Sequence, residues 1–163
     1  MSRLESMIRR LKAQRSCLNA AMESIADRPG VIFELGLGNG RTFDHLRENM
    51  PDREIFVFDR QVNAHPDCIP DEAHLFVGPI ETTLPAAAER FAGKVVLMHS
   101  DVGTAEKTYT PEVARVFADT FPTLLAPGGL VVSDKVMQVP ETERVDPPAD
   151  VPRDRYFVYR RSG

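Results

Sequence analysis

Five short apolar runs lie between residues 31 and 133, and each is followed by a glycine or a polar residue. The first spans 31–35 and meets Gly36. The second spans 55–58 and closes on Asp59. The third spans 74–77 and stops at Gly78. The fourth spans 94–98 and leads into His99, Ser100 and Asp101. The fifth spans 130–133 and closes on Asp134. Segments of helical character separate them at 41–49, 81–91 and 111–125, the last with Pro111 in its first turn. Strands that alternate with helices at this spacing build a parallel sheet with helices on both faces. Nearly continuous apolar strands agree with that, because they are buried on both sides. The predicted fold is α/β, a Rossmann-like, doubly wound and mostly parallel sheet.

The flanks complete one domain over residues 1–163. Residues 1–29 hold an amphipathic helix predicted over 3–27, with Leu4, Ile8, Leu11, Leu18, Met22 and Ile25 at helical spacing and Ser2 as its cap. Pro29 and Gly30 stop it. Residues 31–134 form the core. Residues 135–163 form a short closing segment: a proline-rich stretch at 140–152, read as an irregular loop, then one strand at 156–159. That leaves the last sheet edge under-covered. With the seven-residue spacing of Leu4, Leu11, Leu18 and Ile25, it predicts a homo-oligomer.

Composition narrows the partners. The net charge of −4 offers no global basic field for nucleic acid. No apolar run approaches the ~20 residues of a membrane span. The two cysteines, Cys17 and Cys68, are too few and too distant for a disulfide framework, and no secretory apolar core opens the chain. A cytoplasmic location is expected.

In an open sheet of this kind, ligands bind outside the carboxyl ends of the strands. Gly36, Asp59, Gly78, Asp101 and Asp134 would all line that edge. The turn after the first strand carries Gly36, Gly38 and Gly40, a G-x-G-x-G pattern, so a ligand or another backbone approaches closely there. A dinucleotide fingerprint needs G-x-G-x-x-G, and Arg41 stands where its last glycine would be. Glu34, just before the turn, suits a ligand with a positive amino group better than one with two phosphates.

These residues resemble the class I S-adenosylmethionine-dependent methyltransferases. "ELGLGNG" matches that family's acid-x-G-x-G-x-G motif. "FVGPIETTLP" at 76–85 looks like its adenine-side turn, and "LLAPGGLVVSD" at 124–134 looks like its helix–turn–strand through the fifth strand. The resemblance spans 31–134 and implies the cofactor S-adenosyl-L-methionine and a small-molecule acceptor. It implies cofactor contacts from Glu34, Gly36, Leu37, Gly38, Asn39, Gly40, Asp59, Arg60, Gly78, Pro79, Ile80 and Asp101, with Asp59 on the ribose hydroxyls. Pro79 stands where the family often has an acid. The alternatives are an NAD(P)-dependent oxidoreductase and a noncatalytic cofactor-binding or scaffolding protein.

Methyl transfer from a sulfonium needs positioning above all, and a base only where the acceptor must lose a proton. "MHSDVG" at 98–103 is similar to the fourth-strand end of catechol-type and sugar-type O-methyltransferases. There Asp101 matches a metal-binding acid. Gly103 replaces a second, and Lys135 follows Asp134 where a further oxygen ligand is common. Two acids make a poor magnesium site, so no metal is expected. His99 is the candidate general base, with Asp101 beside it. Inert readings for both, and for Lys135 and His45 as surface charges, stand against these roles.

Overall fold

The computed structural model describes residues 1–103 and 106–163. In chain order the elements are α1 (Arg3–Ile25), β1 (Val31–Leu35), α2 (Arg41–Asn49), β2 (Ile55–Asp59), β3 (Leu75–Val77), α3 (Ile80–Phe91) and β4 (Val95–Ser100). Then come α4 (Pro111–Leu124), β5 (Leu125–Ser133), β6 (Thr142–Val145) and β7 (Phe157–Arg161). The strands form one sheet in the order β3-β2-β1-β4-β5-β7-β6. The first five in that order run parallel, and β7 runs antiparallel to both β5 and β6. This is the predicted doubly wound α/β sheet. The chain winds outward from β1 in one direction and then from β4 in the other. The switch between these two neighbours opens a crevice at their carboxyl ends.

Two apolar cores form, one on each face. One packs Cys17, Leu18 and Ile25 of α1 and Leu46 of α2 against Ile32, Val57 and Val132. The other packs Leu84 and Phe91 of α3 and Phe117 and Phe121 of α4 against Phe33, Phe56 and Phe58. The second is rich in aromatic pairs, such as Phe58 stacked on Phe76 at 4.6 Å and Phe33 edge-on to Phe91 at 5.1 Å.

The local signals act as predicted at several ends. The Ser2 hydroxyl accepts from the Glu5 amide, and the Thr110 hydroxyl accepts from Val113 ahead of α4. Three expectations need correction. The stretch 140–152 is not wholly irregular, since Thr142–Val145 pairs with β7 and so adds a second strand beyond β5. An edge strand of four residues carries too little periodicity to stand out among prolines. The turn expected at 126–129 lies inside β5, which begins at Leu125 and is irregular there. Gly128 adopts a φ of 68°, and the Arg28 guanidinium donates to the carbonyls of Pro127 and Gly128. Finally, β4 continues through His99 and Ser100, which therefore belong to the strand and not to the turn after it.

The apolar stripe of α1 divides along its length. Leu18 and Ile25 are buried, Leu11 is half-buried, and Leu4 is 71% exposed. Its buried part packs on its own domain. No helix among the described residues is long and apolar enough to cross a membrane.

Candidate active site

The carboxyl ends of β1, β2, β3, β4 and β5 converge on a cleft of about 530 Å³. Gly36, Gly38, Asp59, Arg60, Gly78, Ile80 and Asp101 line it, all of them predicted site residues. Glu34, Leu37 and His99 lie beneath it and are buried. Asn39, Gly40 and Pro79 do not line it.

The glycine turn is held from β2. The Asp59 carboxylate accepts from the Leu37 amide at 2.8 Å and the Gly38 amide at 3.1 Å through Oδ2, and from Gln61 at 3.2 Å through Oδ1. A carboxylate offers about four lone-pair sites, so one site, on Oδ1, is left for a hydroxyl donor from the cleft. The three glycines of the turn serve different ends. A Cβ on Gly36 would sit 2.7 Å from the Asp101 carbonyl, where the ends of β1 and β4 nearly touch. A Cβ on Gly40 would sit 2.5 Å from Cys68 Cβ. A Cβ on Gly38 would meet nothing within 4 Å. Gly38 thus borders open space on the cleft side, while Gly36 and Gly40 are required by protein packing.

Glu34 is fully buried. Its Oε1 accepts from the Thr42 hydroxyl at 2.9 Å and from His99 Nδ1 at 2.7 Å, and its Oε2 has no partner. A buried carboxylate oxygen without a partner is costly. A ligand amino group at the turn would satisfy it. Burial pushes the Glu34 carboxyl up from its ordinary value. For His99, burial pulls downward, but the charge and hydrogen bond of Glu34 outweigh it and hold the imidazole above its ordinary value.

His99 has no exposed surface, and both ring nitrogens are engaged. Nδ1 meets Glu34, and Nε2 meets the Tyr156 hydroxyl at 2.7 Å. The candidate general base therefore has no nitrogen free towards the cleft. The chain continues from Tyr156 to Gln14 Nε2 at 3.0 Å, and Gln14 also donates to Asp101 at 3.3 Å. Arg10 closes it with Nη2 at 2.7 Å from both Asp101 oxygens. This polar ladder joins α1, β1, β4 and the segment before β7. Burial pushes the Asp101 carboxyl upward, but Arg10 and His99 outweigh it and hold it below the carboxylate range. Burial and the Asp101 charge push Asp134 up.

The other end of the cleft comprises Val102, Gly103, Tyr109, Val113 and Lys135, with Glu106, Thr108 and Thr110 at its rim. The Tyr109 hydroxyl bonds Ser100 at 2.8 Å and Ser133 at 2.9 Å. Among the described residues, no group of three His, Cys, Asp or Glu side chains could hold a metal ion. Sequence reasoning missed Tyr109, Arg10 and Tyr156, because nothing in their local context marks them. It also missed Glu81, which lines the cleft with a buried, unpartnered Oε2. Glu81 follows Pro79 by two residues, and that offset was its only signal.

A family model described as S-adenosyl-L-methionine methyltransferase matches residues 1–161. A crystal structure of an S-adenosyl-L-methionine methyl transferase from Silicibacter pomeroyi DSS-3 is 42% identical. It has a TM-score of 0.91, with 99% of each chain covered. More distantly, the fold is similar to that of a 1,6-didemethyltoxoflavin-N1-methyltransferase from Burkholderia thailandensis, solved with 1,6-didemethyltoxoflavin and S-adenosylhomocysteine. That match has 14% identity, a TM-score of 0.59, and covers 93% of this chain and 79% of the other. It is also similar to an S-adenosylhomocysteine-bound methyltransferase from Podospora anserina, at 16% identity and a TM-score of 0.59, covering 94% and 79%. No protein with a curated description matches. The nicotinamide and scaffolding alternatives receive no support from these relatives.

Proposed function

This chain belongs to the S-adenosyl-L-methionine methyltransferases, and from that premise we propose that it methylates a small molecule seated at the Tyr109–Lys135 end of the cleft. The observation that carries the reading is the convergence of five strand ends and the glycine turn on one cleft of about 530 Å³. Such a volume suits a cofactor with a small acceptor. The Burkholderia thailandensis relative, which holds a small molecule beside S-adenosylhomocysteine, supports the same class of acceptor.

In this reading Asp59 holds the Leu37 and Gly38 amides through Oδ2 and turns Oδ1 to the ribose hydroxyls, the second of them displacing the Gln61 amide. Gly36 and Gly38 border the methionyl end, Leu37, Asn39 and Gly40 shape the turn behind them, and Glu34 acts from beneath through its unpartnered Oε2. Arg60, Gly78 and Ile80 border the adenine, where Glu81 supplies the acid that Pro79 lacks. Asp101 borders the reacting centre. The cofactor supplies a methyl group already activated on a sulfonium. The protein's task is to hold the acceptor atom in line at about 3–3.5 Å and to exclude water. His99, enclosed between Glu34 and Tyr156, acts as a positioning residue for Glu34.

Calorimetric titration with S-adenosylmethionine, S-adenosylhomocysteine and NAD tests this. The two sulfur nucleotides should bind and NAD should not. Asp59→Ala should weaken binding by about tenfold to a few hundredfold, the loss of one or more hydrogen bonds to a charged group. Asp59→Asn, which keeps an acceptor for the glycine-turn amides, separates loss of ribose binding from collapse of the turn. An Asp59→Ala protein that binds unchanged would reject the assignment.

We also propose that no metal takes part, since Gly103 and Lys135 stand where oxygen ligands would be needed. Activity on an identified acceptor should survive extensive chelation, and loss restored by magnesium would reject this. The free thiols of Cys17 and Cys68 suit a cytoplasmic setting. The exposed Leu4, Met7 and Ile8 on the first turns of α1 support a homo-oligomer. A monomer mass by light scattering at micromolar concentration would count against it.

A further inference from the structure

Lys135 lies just after β5 at the acceptor end of the cleft and is only 3% exposed. A buried ammonium needs partners for its three hydrogens. Nζ donates to the Val102 carbonyl at 2.9 Å and to Asp134 Oδ2 at 3.3 Å, and it lies 5.1 Å from the centre of the Tyr109 ring. Among the described residues this leaves one hydrogen without an oxygen partner. The small exposed surface of Lys135 faces the cleft beside Gly103. Gly103 lines the cleft with a φ of 94°, and even a Cβ there would come within 3.9 Å of Nζ. Tyr109, fixed through Ser100 and Ser133, forms one wall, and Val102 and Val113 add apolar surface.

Two cations, Arg10 and Lys135, and three acids, Asp101, Asp134 and Glu106, stand at or beside this end of the cleft. Asp101 is committed to Arg10 through both of its oxygens. Asp134 faces Lys135 across a longer contact, and its own Oδ1 is buried without a hydrogen-bond partner. Glu106, the remaining acid at this end, is exposed and screened by solvent. The cationic centre of the methyl donor would add a further positive charge to the same cleft.

We propose that Lys135 is the acceptor-binding cation of this enzyme, and that the acceptor is a small molecule carrying a carboxylate. One carboxylate oxygen takes the open Lys135 hydrogen, while the apolar body of the molecule rests on Tyr109, Val102 and Val113. The inference rests on the methyltransferase reading above and deepens it. Lys135 makes no bond in the reaction and fixes where the acceptor stands.

The experiment uses the full chain saturated with S-adenosylhomocysteine. It is titrated calorimetrically with benzoate, 2-hydroxybenzoate and short 2-hydroxy acids, each compared with its neutral carboxamide. At least one acid should bind, and more tightly than its amide by about ten- to hundredfold, the worth of one charged hydrogen bond. In Lys135→Gln, which keeps a donor for the Val102 carbonyl but removes the charge, that preference should vanish while S-adenosylhomocysteine binding stays as in the wild type. Lys135→Arg should retain part of the preference. Binding of amides as tight as acids, an unchanged preference in Lys135→Gln, or no binding by any acid would overturn the proposal and leave the methyltransferase reading standing. Failure of S-adenosylhomocysteine to bind the wild type would overturn both.

Discussion

Glu34 and Tyr156 occupy opposite sides of one imidazole, and each is hydrogen-bonded to it. Tyr156→Phe would leave His99 Nε2 buried without a partner, at a cost of about 1–3 kcal/mol in denaturant unfolding. A loss near zero would mean that the ring turns to find another partner. The Arg10–Asp101 pair makes a prediction in acid. The folded carboxyl of Asp101 is held below its ordinary value. Its contribution is therefore present above the unfolded value and lost as pH falls through the lower, folded one. The tie between α1 and the cleft should loosen only below about pH 4, as followed by hydrogen exchange of the first turns of α1. In Arg10→Ala that acid step should move towards the ordinary carboxylate range. Burial pushes the Cys17 thiol up to about 12, whereas Cys68 is only half-buried. Alkylation followed by mass spectrometry should label Cys68 in the native protein and spare Cys17. None of these pairings was legible in the sequence. Gln14, His99 and Tyr156 are ordinary residues until the chain brings them together.

At the level of elements, the glycine turn separates two requirements that look alike in the sequence. Gly40→Ala should destabilise the fold strongly, by about 2 kcal/mol or more, because its Cβ would lie 2.5 Å from Cys68 Cβ and 2.7 Å from the Cys68 carbonyl oxygen, and a backbone atom cannot swing aside. Gly38→Ala meets open space and carries only the left-handed strain of its φ of 52°, about 1–2 kcal/mol. Thermal unfolding of the two variants should rank them in that order, and the reverse order would contradict these assignments. Strand and helix identity was legible from β1 to β5, because buried parallel strands are continuous apolar runs with polar ends. So was the set of strand-end residues at the cleft: Gly36, Asp59, Gly78 and Asp101. The strand β6 was not, since four residues on an exposed edge obey no burial pattern. The depth of His99 was not legible either. An apolar run gives no sign of its end when the next polar side chain is buried within the sheet.

Over the whole molecule, the two ends of the chain are fastened to each other on one face of the sheet. Gln14 bonds Tyr156, Ser16 bonds Asp150, and Arg155 donates to Ser6. The order of manufacture therefore matters. During synthesis the apolar face of α1 emerges first, yet its polar partners around Tyr156 follow 142 residues after Gln14. At about 5–20 residues per second, that interval is roughly 7–30 s. For that period the Cys17–Ile25 face waits without its complete seat and is open to chaperones and to neighbouring nascent chains. Ribosome-bound chains arrested before Tyr156 should show α1 cut readily by protease, and chains arrested with β7 fully outside the tunnel should show it protected. The last dozen residues act as the latch that ends the helix's exposure. Truncating them should therefore lower the yield of soluble protein in cells by more than the loss of one edge strand would on its own.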